Sequence, residues 1–217
     1  MHKTDIKEAL PPIHKKKIIL AEGKDAYLFL IHLMVKKGID DIQVMDSRGV
    51  VELTTRLKSL MGTEGFEDVT SVLIFRDSEL STKSAIQSVN YSLKSIKLIA
   101  KEIEPFTISQ QNSRKIGFVL FPGFDETGNL YDQGTLEDLC INLFNDTSIS
   151  EIIKKYIDNY QKSKGIKFSH KHKNELHAIL SFTDKYVGMK IGETAKAGGF
   201  NFDSTYFEPF LKMIKEM

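Results

Sequence analysis

Two short apolar runs, each closed by acid, constrain this chain more than any other feature. Lys17-Ile18-Ile19-Leu20-Ala21 stops at Glu22-Gly23, and Ser71-Val72-Leu73-Ile74-Phe75-Arg76 stops at Asp77-Ser78-Glu79. Runs of this length, rich in β-branched residues and bounded by Gly or polar groups, read as buried strands. Helical periodicity follows each one. Asp25 to Lys37 carries Tyr27, Leu28, Leu30, Ile31, Met34 and Val35 at helical spacing, and Gly38 is a natural stop. Between the two runs lie a second strand, 41–45, and a helix over 50–61; a helix over 81–99 follows the third strand. The order β-α-β-α-β-α implies right-handed crossovers and a parallel sheet.

The pattern then changes. Pro105–Ser109 and Lys115–Phe121 read as two further strands, and the polar Gln110–Arg114 link is too short for a crossover helix, so an antiparallel edge is expected. A Gly- and Asp-rich loop, 122–134, precedes helices near 135–145, 149–163, 170–183, 190–197 and 205–216. The expected fold is therefore α/β: a mainly parallel sheet flanked by helices, with an antiparallel edge. Its boundaries are an α/β domain over 1–133, entered by an extended arm at 1–13, and a C-terminal helical subdomain over 134–217 packed on it.

Composition removes several function classes. Net charge is only +1, so any nucleic-acid binding must rest on a local patch. The single cysteine, Cys140, excludes an intrachain disulfide framework and fits a reducing cytoplasm. No apolar run approaches membrane-spanning length, and Pro11-Pro12 with His14-Lys15-Lys16-Lys17 stand where a signal peptide needs an apolar stretch. A cytoplasmic protein with no membrane partner is expected. The chain has no phosphate-binding Gly-rich loop ending in Lys-Ser/Thr, no dinucleotide fingerprint and no Gly-x-Ser-x-Gly elbow.

In an open parallel sheet the carboxyl ends of the strands open onto one crevice, where ligands bind. Glu22, Asp77 and Glu79 would converge there although 55 residues separate the first two. Three carboxylates form a hard-oxygen site suited to Mg²⁺ or Mn²⁺. Asp77 and Glu79 are two apart and share a face if the backbone stays extended. Lys24 and Arg76 stand beside these acids, either to bind substrate phosphate or to screen the carboxylates. Asp125 and Glu126 are further ligand candidates, or the turn of a Gly-flanked loop; Glu137 and Asp138 would occupy the first turn of a helix capped by Thr135 and favour its dipole.

The tail carries Lys154, Lys155, Lys162, Lys164, Lys167, Lys171 and Lys173, with His170, His172, Tyr156, Tyr160 and Phe168 among them. That is either a phosphate-tracking surface with aromatics to stack on bases or an ordinary solvated helix face. His170 and His172 lack partners at zinc spacing. His177, between Leu176 and Ala178, reads as a packed histidine and Cys140 as buried filler.

Glu-Gly after a first strand and acid-x-acid after a third together resemble the Toprim domain of topoisomerases, primases and OLD-type nucleases. The likeness extends to a family of small stand-alone Toprim-like proteins of largely unassigned function. It is carried by Leu20-Ala21-Glu22-Gly23-Lys24-Asp25, Phe75-Arg76-Asp77-Ser78-Glu79, Gly134-Thr135-Leu136-Glu137-Asp138-Leu139, Lys173-Asn174-Glu175-Leu176-His177-Ala178 and Ile191-Gly192-Glu193-Thr194-Ala195 with Phe202-Asp203. The resemblance implies a Toprim-like sheet, with Glu22 as metal ligand or general acid/base and Asp77 as the first acid of the pair. Glu79 stands where Asp is usual. Nuclease relatives often carry another acid four residues after the glutamate; here that place is Ala26.

The function expected is a Mg²⁺- or Mn²⁺-dependent phosphodiester hydrolase acting on DNA or RNA, with Glu22, Asp77 and Glu79 as catalytic and metal-binding residues and Lys24 and Arg76 contacting substrate. The alternative is a non-catalytic Toprim-like module that binds a nucleotide, nucleic acid or protein partner, or a second copy of itself.

Overall fold

Side-chain alternation along the strands explains how one sheet carries two apolar faces. The computed structural model describes residues 10–47, 53–111 and 113–217. Five strands run through it: β1 (Lys17–Ala21), β2 (Ile42–Asp46), β3 (Ser71–Asp77), β4 (Thr107–Gln111) and β5 (Arg114–Phe121). Their spatial order is β2-β1-β3-β5-β4, parallel except for the β4 edge. The mainly parallel sheet with an antiparallel edge is the one expected. β4 begins two residues later than the apolar pattern suggests, because Phe106 takes a left-handed backbone (φ 56°) and packs its ring tilted against Phe124 and edge-on against Phe210 instead.

The helices are α1 (Gly23–Lys37), α2 (Leu53–Met61), α3 (Thr82–Ser95), α4 (Leu136–Leu143), α5 (Thr147–Lys164), α6 (Lys171–Ser181), α7 (Ile191–Lys196) and α8 (Glu208–Glu216). The expected start of the second helix and most of the N-terminal arm lie outside the described residues. α3 is capped by Ser81, whose side chain accepts from the Ser84 amide, and α5 by Asp146, which accepts from the Ser148 and Ile149 amides.

Ile18, Leu20, Val72, Ile74, Ile116, Phe118 and Leu120 point to one face, where α2 and α3 cover them with Leu53, Leu57, Leu60, Ala85, Val89 and Leu93. Ile19, Ala21, Leu73, Phe75, Val119 and Phe121 point to the other, under α1 and the helices after residue 134. This second core runs without a break from Ile19 to Met217, so the C-terminal helices share the core of the sheet. Phe210 of α8 lies 5.5 Å from Phe121 and 6.2 Å from Phe75 between ring centroids, and 5.2 Å from Phe207. Such ring pairs contribute about 0.5–1.5 kcal/mol each beyond their area. α7 reaches α1 closely because residue 192 is glycine: a Cβ there would sit 2.4 Å from Cβ of Leu28. Among the described residues no helix is long and apolar enough to cross a membrane.

Candidate functional site

The strand order places a switch point between β1 and β3. From β1 the chain crosses to β2 on one side, and β3 then adds on the other. Ligands of open α/β sheets bind outside the carboxyl ends of the strands at such a point. Glu22 follows β1 and Asp77 ends β3, so both predicted acids stand there. The register pairs Ala21 with Phe75, and the Glu22 amide donates to the Phe75 carbonyl at 2.9 Å.

Alternation then sorts the charges by face. Phe75 points toward the C-terminal helices and Ile74 toward α2 and α3, so Arg76 projects to the α2/α3 side and Asp77 to the other. Arg76 is 5% exposed, and its Nε lies 3.5 Å from Oε2 of Glu22, whose side chain is 13% exposed. Nε and Nη1 of Arg76 are buried and make no hydrogen bond. Burial draws its pKa down, while Glu22, then Glu79 and Asp77, hold it up. Arg76 thus meets Glu22 across adjacent strand ends and screens it.

Asp77 meets a different environment. Its Oδ1 accepts a 2.8 Å hydrogen bond from the Leu136 amide, the first N–H of α4, a favourable place for negative charge. Burial nevertheless pushes its carboxyl well above the usual range, with Glu22 and Glu137 pushing the same way and Glu79 adding less. Glu137, in the first turn of α4, is the acid whose part in the site sequence reasoning missed. Glu137 and Asp138 both lie in that first turn, as the sequence implies, and Asp138 also closes the cap: its Oδ2 accepts from the Thr135 amide at 2.9 Å and from the Thr135 hydroxyl at 3.2 Å. Glu137 turns toward Asp77 and Lys173, whose Nζ is 3.6 Å away. A signal existed: Thr135-x-x-Asp138 completes a capping box and leaves Glu137 with no part in the cap.

Glu79 departs from expectation. β3 ends at Asp77, and Glu79 takes a left-handed backbone, φ 53°. It forms a two-way bridge with Gly134, each amide donating to the other's carbonyl at 2.9 Å. Asp77 and Glu79 therefore do not share an extended face, and the Glu79 side chain is exposed. A side chain at Gly134, φ 138°, would strike Pro122 at 2.7 Å, so the bridge depends on that glycine. A non-glycine residue held at positive φ stores strain that the surrounding structure must enforce.

Lys24 is exposed in the first turn of α1. Asp125 closes its own turn, with Oδ1 accepting from the Thr127 amide and hydroxyl and from the Asn129 amide. Glu126 accepts from the Tyr206 hydroxyl at 2.9 Å. Neither is placed with the acid cluster. Cys140 is the buried filler expected; burial first, then Glu137, Asp25, Asp77 and Asp138, push its thiol well up. His177 is exposed on α6, which corrects the reading of a packed histidine: Leu176, Ile179 and Leu180 form the buried stripe instead.

As a donor set, Glu22, Asp77, Glu79 and Glu137 are all hard oxygens, and burial with Glu22 and Glu137 disfavours a negative charge on Asp77 unless a cation joins it. That chemistry fits Mg²⁺ or Mn²⁺. Among the described residues, however, no group of three or more His, Cys, Asp or Glu side chains is drawn together closely enough to hold a metal ion.

A solved structure shares the overall architecture. The hypothetical protein PH0156 from Pyrococcus horikoshii OT3 is 16% identical, with a TM-score of 0.53 over 94% of this chain and 95% of that one. The C-terminal region of the Xanthomonas campestris pv. campestris OLD protein is 14% identical, with a TM-score of 0.47 over 93% and 95% of the two chains. No curated protein matches. Residues 16–217, nearly the whole chain, match DUF3226, described as a protein of unknown function, and the chain belongs to that family.

Proposed function

We propose that the protein is a divalent-metal-dependent phosphodiester hydrolase that acts on DNA or RNA at the β1/β3 switch point. The observation that supports this most is the electrostatic state of Asp77. Its carboxyl is raised by burial, Glu22 and Glu137 even though a helix amide points at it. A cluster of like charges at a ligand-binding crevice is stabilised by a cation, and sites of this kind are candidates for function. Asp77 and Glu137 would hold Mg²⁺ or Mn²⁺, with water and substrate phosphate completing its shell, and the ion would supply neutralisation of phosphate charge and activation of a water. Arg76 keeps Glu22 in place, and Lys24, exposed beside it, would meet a phosphate from the solvent side. The strand-end pattern Glu22-Gly23 with Asp77-x-Glu79, which resembles Toprim domains, supports the same reading.

A non-catalytic binding module is the second reading. It is favoured by two observations: Arg76 already screens Glu22, and Glu79 faces solvent. The two separate in four melts, wild type and Asp77→Asn, each with Mn²⁺ and with EDTA at matched ionic strength. At tenfold over Kd a bound ion adds about 1.4 kcal/mol, roughly 3–6 °C in Tm for a chain of this size. Wild type should show that gain and Asp77→Asn should lose most of it. Cleavage of plasmid, single-stranded DNA or RNA should need Mn²⁺ and vanish in Asp77→Asn. A metal response with no cleavage of any of the three supports the binding module; equal metal shifts in both proteins remove Asp77 from the site.

A further inference from the structure

The outward side of α5 is the largest feature that the acid cluster does not explain. Ile153 and Ile157 are the helix's buried residues. Beside that stripe runs an i, i+4 ridge in which Ile152 is 65% exposed and Tyr156 67%, continued by Tyr160 and the exposed Lys164. Tyr160 is 42% exposed and stacks on Phe168 of the following turn, centroids 6.1 Å apart and planes 21° from parallel. Large apolar side chains left this open on a helix bearing so many cations indicate a surface that is covered by something else.

Charge identifies what covers it. Between residues 154 and 167 there are five lysines and one acid, Asp158, in a chain whose net charge is +1. Asp158 is taken by Lys171 at 2.7 Å. Among the described residues no ion pair involves Lys154, Lys155, Lys162, Lys164 or Lys167. Lys171 and Lys173, which the sequence groups with them, are used inside the fold: the first joins Asp158 to Glu175, the second reaches Glu137. The structure thus trims the basic run to five unpaired lysines interleaved with open aromatic rings. Such a surface matches a polyanion that also offers flat apolar faces.

We propose that the Ile152–Tyr156–Tyr160–Lys164 ridge of α5 and the turn to Phe168 form a track for single-stranded nucleic acid, with Tyr156 and Tyr160 stacking bases and Lys164 and Lys167 contacting phosphates. The track runs toward the acid cluster. The turn after α5 leads into α6, whose Lys173 meets Glu137 beside Asp77. That link to chemistry rests on the function proposed above; binding along α5 does not, and is measured with EDTA present.

The test is anisotropy of labelled oligothymidylate and oligouridylate against the full chain, titrated across salt concentration. Both strands should bind, with log K falling by about 0.7 per phosphate contacted for each log unit of salt. Lys164→Gln/Lys167→Gln should flatten that slope by about 1.4, while Tyr156→Ala should weaken binding about 5- to 150-fold at unchanged slope. Lys212→Gln, exposed on α8, should bind as wild type does. Binding to only one of the two strands would keep the track and assign it to that class of strand. No binding of either strand at low salt, or variants that bind like wild type, would overturn the proposal. So would a wild-type dimer that Tyr156→Ala dissolves, since the face would then be a contact between copies.

Discussion

The two faces of the sheet meet the same acid site in opposite ways. On the α2/α3 side, Glu22 is matched by Arg76 from the next strand, 3.5 Å away, inside an aliphatic wall. On the other side, Asp77 is crowded by Glu137 beneath the amino end of α4, and Lys173, which pairs with Glu137, sits at the rim with a half-exposed side chain. One face balances its charge within the chain. The other leaves a surplus at the point where the strand order reverses, and that imbalance distinguishes a ligand-binding edge from a structural ion pair.

The comparison breaks first at Arg76. Arg76→Met should cost about 3–5 kcal/mol in denaturant melts, because it leaves Glu22 largely buried without its cation. Adding Glu22→Gln should restore most of the loss. A single variant as stable as wild type would mean that Glu22 is screened by other groups and that the two faces do not differ as described.

Asp77→Asn should act in the opposite direction. It keeps an oxygen to accept from the Leu136 amide, removes the repelled charge, and should raise apo stability on the order of 1 kcal/mol at neutral pH. The sign follows from the raised folded pKa: the unfolded carboxyl, near 3.9, ionises first. Stability tied to Asp77 is therefore full below that value and is lost as pH rises through the higher folded pKa. Stability measured from pH 4 to 8 should fall with pH more steeply in wild type than in Asp77→Asn. Parallel curves would remove the surplus charge from Asp77.

The smallest effect belongs to Lys173→Gln. With its side chain 51% exposed, the pair with Glu137 is worth at most about 0.5 kcal/mol. The informative change is electrostatic: Glu137 loses its screening, and the pH dependence attributed to Asp77 should move to higher pH. An unmoved profile would show that Lys173 does not act on the cluster.

Much of the fold was legible because the strands announce themselves locally. β1, β3 and β5 are β-branched or aromatic runs ended by Gly, Pro or acid, and their observed bounds lie within a residue or so of the pattern. The site was legible as far as the sheet itself sets it. Glu22 and Asp77 stand at adjacent strand ends because parallel topology requires it. What local pattern could not supply is geometry imposed from far along the chain. Glu79 leaves the extended conformation because Gly134 pairs with it; Glu137 enters the cluster because α4 docks its amino end on Asp77; Lys171 and Lys173 leave the basic surface because Asp158, Glu175 and Glu137 take them.

The ring of Phe210 against Phe75 and Phe121 has a consequence for synthesis. These partners are 89 positions or more apart in the chain. At about 5–20 residues per second, a ribosome needs roughly 4–18 s to travel from Phe121 to Phe210. Throughout that interval the strands can exist without the helix that seals them, and a greasy aromatic surface stands open in a crowded cell. The nascent chain is therefore a natural client for chaperones during its final third, and a stall in translation there would leave it most prone to aggregate.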